Sequence, residues 1–141
     1  MKRFVLPVII FLLFAAPASA VNYVEISRDK DAVVYLDLDS SKDKGTYCLA
    51  WLKLIPSAEY AKEERIRFNY DADVKYATAL YAYNKSIKQS QVLQWDAYLQ
   101  NGSVDAFNPV PFNPNNYKDI VPGTLEELIY IAVMNIISDK K

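Results

Sequence analysis

The closing segment constrains this chain most. From Leu125 to Ile137 it reads LEELIYIAVMNII, and Leu125, Leu128, Ile129, Ala132, Val133 and Ile136 recur at helical spacing. Ile131, Met134 and Ile137 widen that stripe, so more than one side of the helix needs cover. Thr124-Leu125-Glu126-Glu127 is a capping box. The Thr124 hydroxyl is expected to accept from the Glu127 amide while the Glu127 carboxylate reaches back toward the cap. Both glutamates also suit the positive end of the helix dipole. A helix this apolar must lie on a large apolar surface, and the strands that precede it are the only candidate.

Asn22–Ser27 alternates Tyr23 and Glu25 against Val24 and Ile26, and β-branched Ala32–Leu38 follows after a polar turn, which predicts a hairpin. Asp39–Gly45 reads as a loop. Thr46–Ile55 is apolar on both faces, with Tyr47, Leu49, Trp51 and Lys53 against Cys48, Ala50, Leu52 and Leu54, so it is expected to be central. Pro56 ends it. Ser57–Glu64 fits a helical turn or a loop, and Arg65–Tyr70 is equally ambiguous.

Asp73–Asn84 sets Val74, Tyr76, Thr78 and Leu80 against Lys75, Ala77, Ala79 and Tyr81, and reads as a long strand. Gln89–Gln100 is its partner, with Gln91, Leu93, Trp95, Ala97 and Leu99 on one side. Asn101-Gly102 is a strong hairpin signal, and Ser103–Phe107 returns as a short strand. Asn108–Gly123 is a Pro- and Asn-rich loop that continues the tandem Phe107-Asn108-Pro109 and Phe112-Asn113-Pro114. The expected class is α+β: a single twisted antiparallel sheet of about six strands, with the C-terminal helix on one face.

The start of the chain supplies an address. Met1-Lys2-Arg3 is basic, Phe4–Phe14 is apolar apart from Pro7, and Ala18-Ser19-Ala20 places small residues where a signal peptidase reads. The apolar middle is shorter than the roughly 20 residues that an anchor needs. Residues 1–20 are therefore expected to be a removed leader, and residues 21–141 a single domain exported to the periplasm, cell surface or medium. Val21 follows the cut, not Cys, so no lipid anchor is expected. With Lys2 and Arg3 gone, the remainder of a chain holding 16 basic and 17 acidic residues is mildly acidic. That balance argues against nucleic acid and anionic membranes as partners.

Catalytic signatures are weak. Histidine is absent, which removes the usual general base and the commonest metal ligand. The single cysteine, Cys48, lies in an apolar strand and is expected to be buried and inert. Asp37, Asp39, Ser41 and Asp43 alternate like the start of a calcium loop, but Lys42 and Cys48 stand where that loop wants Gly and Glu. A solvated turn, with Asp37 tying down its amides, accounts for them. No G-x-S-x-G is present, and Glu63-Glu64 and Asp71 with Asp73 read as solvated acids. The chain is read as a non-enzyme with no cofactor and no metal.

Several segments in order resemble the surface-adhesin protein E-like family of exported bacterial proteins. They are Val34-Tyr35-Leu36-Asp37, Cys48-Leu49-Ala50-Trp51, the long pair from Val74 to Gly102, and the junction Ile120-Val121-Pro122-Gly123-Thr124-Leu125-Glu126-Glu127-Leu128. The resemblance implies an antiparallel sheet with a packed C-terminal helix, and adhesion to host matrix and plasma proteins. Many members carry a cysteine pair where this chain has Ala82–Asn84 and Val133-Met134, so no bridge is implied here. Eleven tyrosines supply a heavy aromatic load for such contacts. Trp51, Tyr81, Tyr83, Trp95, Tyr98, Phe107 and Phe112 are the candidate binding residues, on an exposed sheet face or on the Pro/Asn-rich loop. The same face would also serve a homodimer. The alternative is a periplasmic accessory protein that binds another envelope component or a small ligand.

Overall fold

The structure, a computed structural model, describes residues 21–138. The leader reading on residues 1–20 lies outside the described residues. Eight strands form one antiparallel sheet: β1 (Tyr23–Arg28), β2 (Ala32–Asp37), β3 (Lys42–Asp43), β4 (Tyr47–Pro56), β5 (Val74–Asn84), β6 (Gln89–Leu99), β7 (Val104–Phe107) and β8 (Lys118–Asp119). The six main strands run β1-β2-β4-β5-β6-β7 across the sheet. Helix α1 spans Ala58–Phe68 and α2 spans Leu125–Ser138. The class is α+β, with a C-terminal helix on an antiparallel sheet. Among the described residues no helix is long and apolar enough to cross a membrane.

β4 is central, between β2 and β5, as its two apolar faces require. The expected loop after β2 contains a short strand: β3 pairs with Leu49 and Cys48 on the same edge of β4 that β2 uses. Between the two, Asp37 accepts from the amides of Asp39 and Ser40, and the Ser41 hydroxyl donates to the Asp37 carbonyl. Asp43 accepts from the Gly45 amide and pairs with Lys85 at 2.8 Å. The alternating aspartates therefore hold turns and an ion pair.

The long pair departs from simple alternation twice. The register shifts between Val74 and Tyr76, and again between Leu80 and Tyr81. Tyr81 pairs with Val92 and Leu80 with Gln94, so β6 inserts Leu93 as an extra residue. That bulge resets the row expected to hold Gln91, Leu93 and Trp95 together, and it stands Val92 beside Tyr81.

Helix α2 begins beside β6, where Glu126 accepts from the Ser90 hydroxyl, and crosses the sheet to β1. It covers Val34, Leu36, Cys48, Ala50, Leu52 and Tyr83 with Ile129, Tyr130, Val133 and Ile137. Fully burying a Val or Leu is worth about 1.5–3 kcal/mol each, so this cluster dominates the core. Cys48 is buried there, and burial raises its thiol pKa. The buried stripe is rotated from the one read in the sequence. Leu128, expected in the core, is 52 % exposed, while Tyr130 is buried. The rotation brings the Tyr130 hydroxyl to the Asn84 carbonyl at the end of β5. The capping box forms with one change: Glu127 N–H donates to Thr124 Oγ1, but the Glu127 carboxylate accepts from the Gly123 amide. Gly123 takes φ +78°, a conformation that glycine adopts without strain.

The segment left open between Pro56 and Tyr70 is helix α1. Ser57 caps it, accepting from the Tyr60 amide at 3.2 Å, and Asn69 closes it in the left-handed region. Tyr60 and Glu64 on α1 lie over Leu54, Ala77 and Trp95, which places α1 on the same sheet face as α2. Two helices therefore share that face, where one was expected. Arg65 reaches Asp73 at 3.1 Å and ties the end of α1 to the start of β5.

The Pro/Asn-rich segment straps the outer edge of β6. Val110 N–H donates to the Leu93 carbonyl, Asn113 N–H to the Gln91 side chain, and Ile120 N–H to the Lys88 carbonyl. A 3-10 turn at Pro114–Asn116 leads into β8, which pairs with Gln89 and Ser90.

Candidate functional site: an open aromatic face and a cleft beside the first helix

The sheet separates the candidate residues into two groups. The registers place Tyr35, Lys53, Thr78 and Asp96 in one row across the face opposite the helices. Trp51 pairs with Leu80 and Tyr76 with Tyr98 on that same face. The Tyr76 and Tyr98 rings stack at 4.5 Å, and Tyr23 meets Tyr35 edge-on at 6.5 Å. Lys53 Nζ sits between these pairs, 4.6 Å from the Tyr76 ring centre and 5.5 Å from that of Tyr23. A cation over ring faces is attracted by their negative quadrupole. Trp51, Tyr76 and Tyr98 are half-buried, and Tyr23 is exposed. Neither helix covers this face. At its hairpin end the strap crosses it, and Phe112 stacks on Tyr47 at 4.0 Å with Tyr117 edge-on behind.

The other group lies on the helix face. Tyr81, Val92, Trp95 and Phe107 line a cleft of about 510 Å³, with Tyr60, Glu64, Arg67 and Phe68 of α1 and then Tyr70 and Asp105 completing it. α1 supplies one wall because Ser57 caps it and Asn69 turns the chain back. The β6 bulge supplies Val92, and the Asn101-Gly102 turn brings Asp105 and Phe107 opposite Ala97 and Trp95. A second hollow of about 730 Å³ adjoins the cleft. It shares Arg67, Phe68, Tyr81 and Val92, and adds Asn116, Lys118, Asp119 and Glu126 at its far side.

The cleft's electrostatics are set by burial. Glu64 is 8 % exposed, with Arg67 at 3.7 Å. Burial first, then the charge of Glu64 and a hydrogen bond to it, push Tyr60 up to about 12. Burial raises Tyr70, against a hydrogen bond from Trp95 that pulls it down. Burial raises Tyr81 well above the ordinary phenol range, with the Glu126 charge adding to it. All three phenols are thus neutral donors at neutral pH. The Arg67 guanidinium lies 5.3 Å from the Phe68 ring centre.

The candidate residues thus fall in four places. Trp51 and Tyr98 are on the open face. Tyr81, Trp95 and Phe107 line the cleft. Phe112 holds the strap to Tyr47. Tyr83 is 0 % exposed and belongs to the core under α2. The sequence reading missed Lys53 as the centre of the open face, and it missed α1 with Glu64 and Arg67. Alternation could have placed Lys53, since it shares a face with Trp51; no periodicity marked α1, whose apolar residues are too few. Among the described residues no group of His, Cys, Asp or Glu is placed to hold a metal ion. No protein-family model, no curated protein and no solved structure matches this chain.

Proposed function

We propose that this protein is an exported, non-catalytic binding module that holds a protein partner on its open sheet face. The observation that carries this reading is the row of Tyr23, Tyr35, Tyr76 and Tyr98 around Lys53, on a face that neither helix covers. Tyrosines fixed in pairs lose little freedom on binding, and they present an apolar body with a polar tip. Aromatic anchors of this kind carry most of the affinity in protein interfaces. The resemblance to the adhesin protein E-like family points the same way, and its host matrix and plasma proteins are the first partners to test.

The test is capture of matrix and serum proteins by the purified protein, followed by titration of any captured species. Trp51→Ser and Tyr98→Ser are expected to weaken capture by tenfold or more, while Leu128→Ser on the outer side of α2 leaves it unchanged. Silence at micromolar concentration, or capture indifferent to the open-face changes, overturns the reading. Fractionation of cells decides where the partner must be sought: a wholly periplasmic protein meets envelope components, not a host.

A further inference from the structure

The cleft on the helix face is a separate feature, independent of any partner on the open face. We propose that it is a binding site for a small organic cation: an alkyl- or arylammonium group carried on an apolar body of modest size. Its volume, about 510 Å³, is in the range of small-molecule sites, roughly 300–1,000 Å³. Six of its ten lining residues are aromatic, which suits both an apolar body and a positive charge held against ring faces.

The charges favour a cation. Glu64 and Asp105 face the cleft against the single Arg67. Glu64 is the informative one, because a carboxylate so nearly buried needs polar partners. Its partners are Tyr60 and Arg67, and the Arg67 side chain is 72 % exposed at a long 3.7 Å. Arg67 also lies over Phe68. The wall therefore already holds one cation by the two interactions a ligand would use, a ring face and a carboxylate. Because that cation stands mostly in solvent on a flexible stem, an incoming ammonium can take its place beside Glu64 while Arg67 turns outward. Cleft and adjoining hollow together set Glu64, Asp105, Asp119 and Glu126 against Arg67 and Lys118. An anion drawn to Arg67 would meet two carboxylates and is disfavoured. The chain's own last helix is no candidate occupant, since α2 leads away from the cleft toward β1.

The experiment is calorimetric titration of the full protein with hexyltrimethylammonium, and with hexanoate and hexanol as anionic and neutral probes of equal chain length. Saturable 1:1 binding of the ammonium, at least about tenfold tighter than either control and weakened by salt, is expected. Asp105→Asn, at an exposed strand position, should lower the affinity several-fold, and Arg67→Gln should raise it. Glu64→Gln should lower it further; if that variant misfolds, the Asp105 and Arg67 changes still decide. Equal affinity for the three probes, no binding at millimolar concentration, or an affinity untouched by Asp105→Asn overturns the proposal. So does a concentration-dependent dimer that Phe68→Ser dissociates, because a second copy would then fill the cleft.

Discussion

The Tyr130 hydroxyl donates to the Asn84 carbonyl at 2.8 Å and lies 3.3 Å from the carbonyl of Ile87. One phenol on α2 thereby closes the turn between β5 and β6, the two longest strands. Tyr130→Phe keeps the ring against Tyr83 and removes only this tie. A loss of about 1 kcal/mol is expected, read as a lower urea midpoint at unchanged slope. An unchanged midpoint would show that the hydrogen bond adds nothing over solvation of those carbonyls.

Tyr83 presents the opposite case. Its hydroxyl is buried and finds no hydrogen-bond partner among the described residues. Burial raises its pKa well above the ordinary value. Tyr83→Phe removes a polar atom whose desolvation nothing offsets, so stability should stay level or rise by up to about 1 kcal/mol. A clear loss in chemical denaturation would reveal a partner for that hydroxyl.

Alkali should unfold the protein through its phenols. Tyr60, Tyr81 and Tyr83 all have folded values above the ordinary 10.0, with burial the leading cause. The unfolded chain therefore releases these protons first. Their contribution is whole below about pH 10 and is lost as pH rises through the folded values, near 12 for Tyr60. Circular dichroism and phenolate absorbance followed together should show a cooperative loss of structure with late ionisation of the buried rings. Ionisation of every tyrosine near pH 10 with the fold intact would refute this.

At the acid end, Glu127 has the inverse sign. Its hydrogen bond from Lys88 at 3.1 Å is the largest cause, and the Gly123 amide adds to it; together they hold its carboxyl below the ordinary value. The unfolded chain binds this proton more readily. The contribution is present above the unfolded value of 4.5 and falls away as pH drops through the folded one. Glu127→Gln should lower the neutral plateau slightly and flatten the acid limb of a stability-against-pH curve, so that the two curves converge at low pH. An acid limb identical in the two proteins would mean that other carboxylates set it.

Alternation in β2 and in β5 from Tyr76 onward was legible because each has one face against helices and one toward solvent. β4, apolar on both faces, was legible as central. Val74 was misplaced because the first register shift moves it to the helix face beside Ala97 and Leu99. Asn101-Gly102 was legible because that turn requires a positive φ, which Gly102 supplies at +85°. α1 was not, because Ala61 and Glu64 are its only buried residues; its place is fixed by the Ser57 cap, the Asn69 reversal and the Arg65 ion pair rather than by an apolar stripe. The core side of α2 was misjudged at Leu128 for a related reason. With apolar residues almost all round the helix, periodicity cannot choose a face, and the Tyr130 tie to the hairpin chooses it. Four of the ten cleft residues were hidden with α1, and Val92 was hidden by the β6 bulge, which no turn residue announces. Trp95, Phe107 and Tyr81 were visible as aromatic residues; the pairings of Ala79 with Trp95 and of Trp95 with Phe107 set them on one face, and α1 closes the hollow beside them.

The strap has a further consequence for how chains of this kind can meet. Beyond β6 the border of the sheet is divided among β7, the Val110 and Asn113 contacts and β8, and β7 is only four residues long. Such a broken border offers an incoming strand no continuous row of amides to zip onto. At the opposite border β1 runs six residues and is itself interrupted between Glu25 and Ser27. Any growth of the ribbon by recruitment of a foreign strand therefore has a single polarity: it must begin at the N-terminal border, and it must accommodate the kink there.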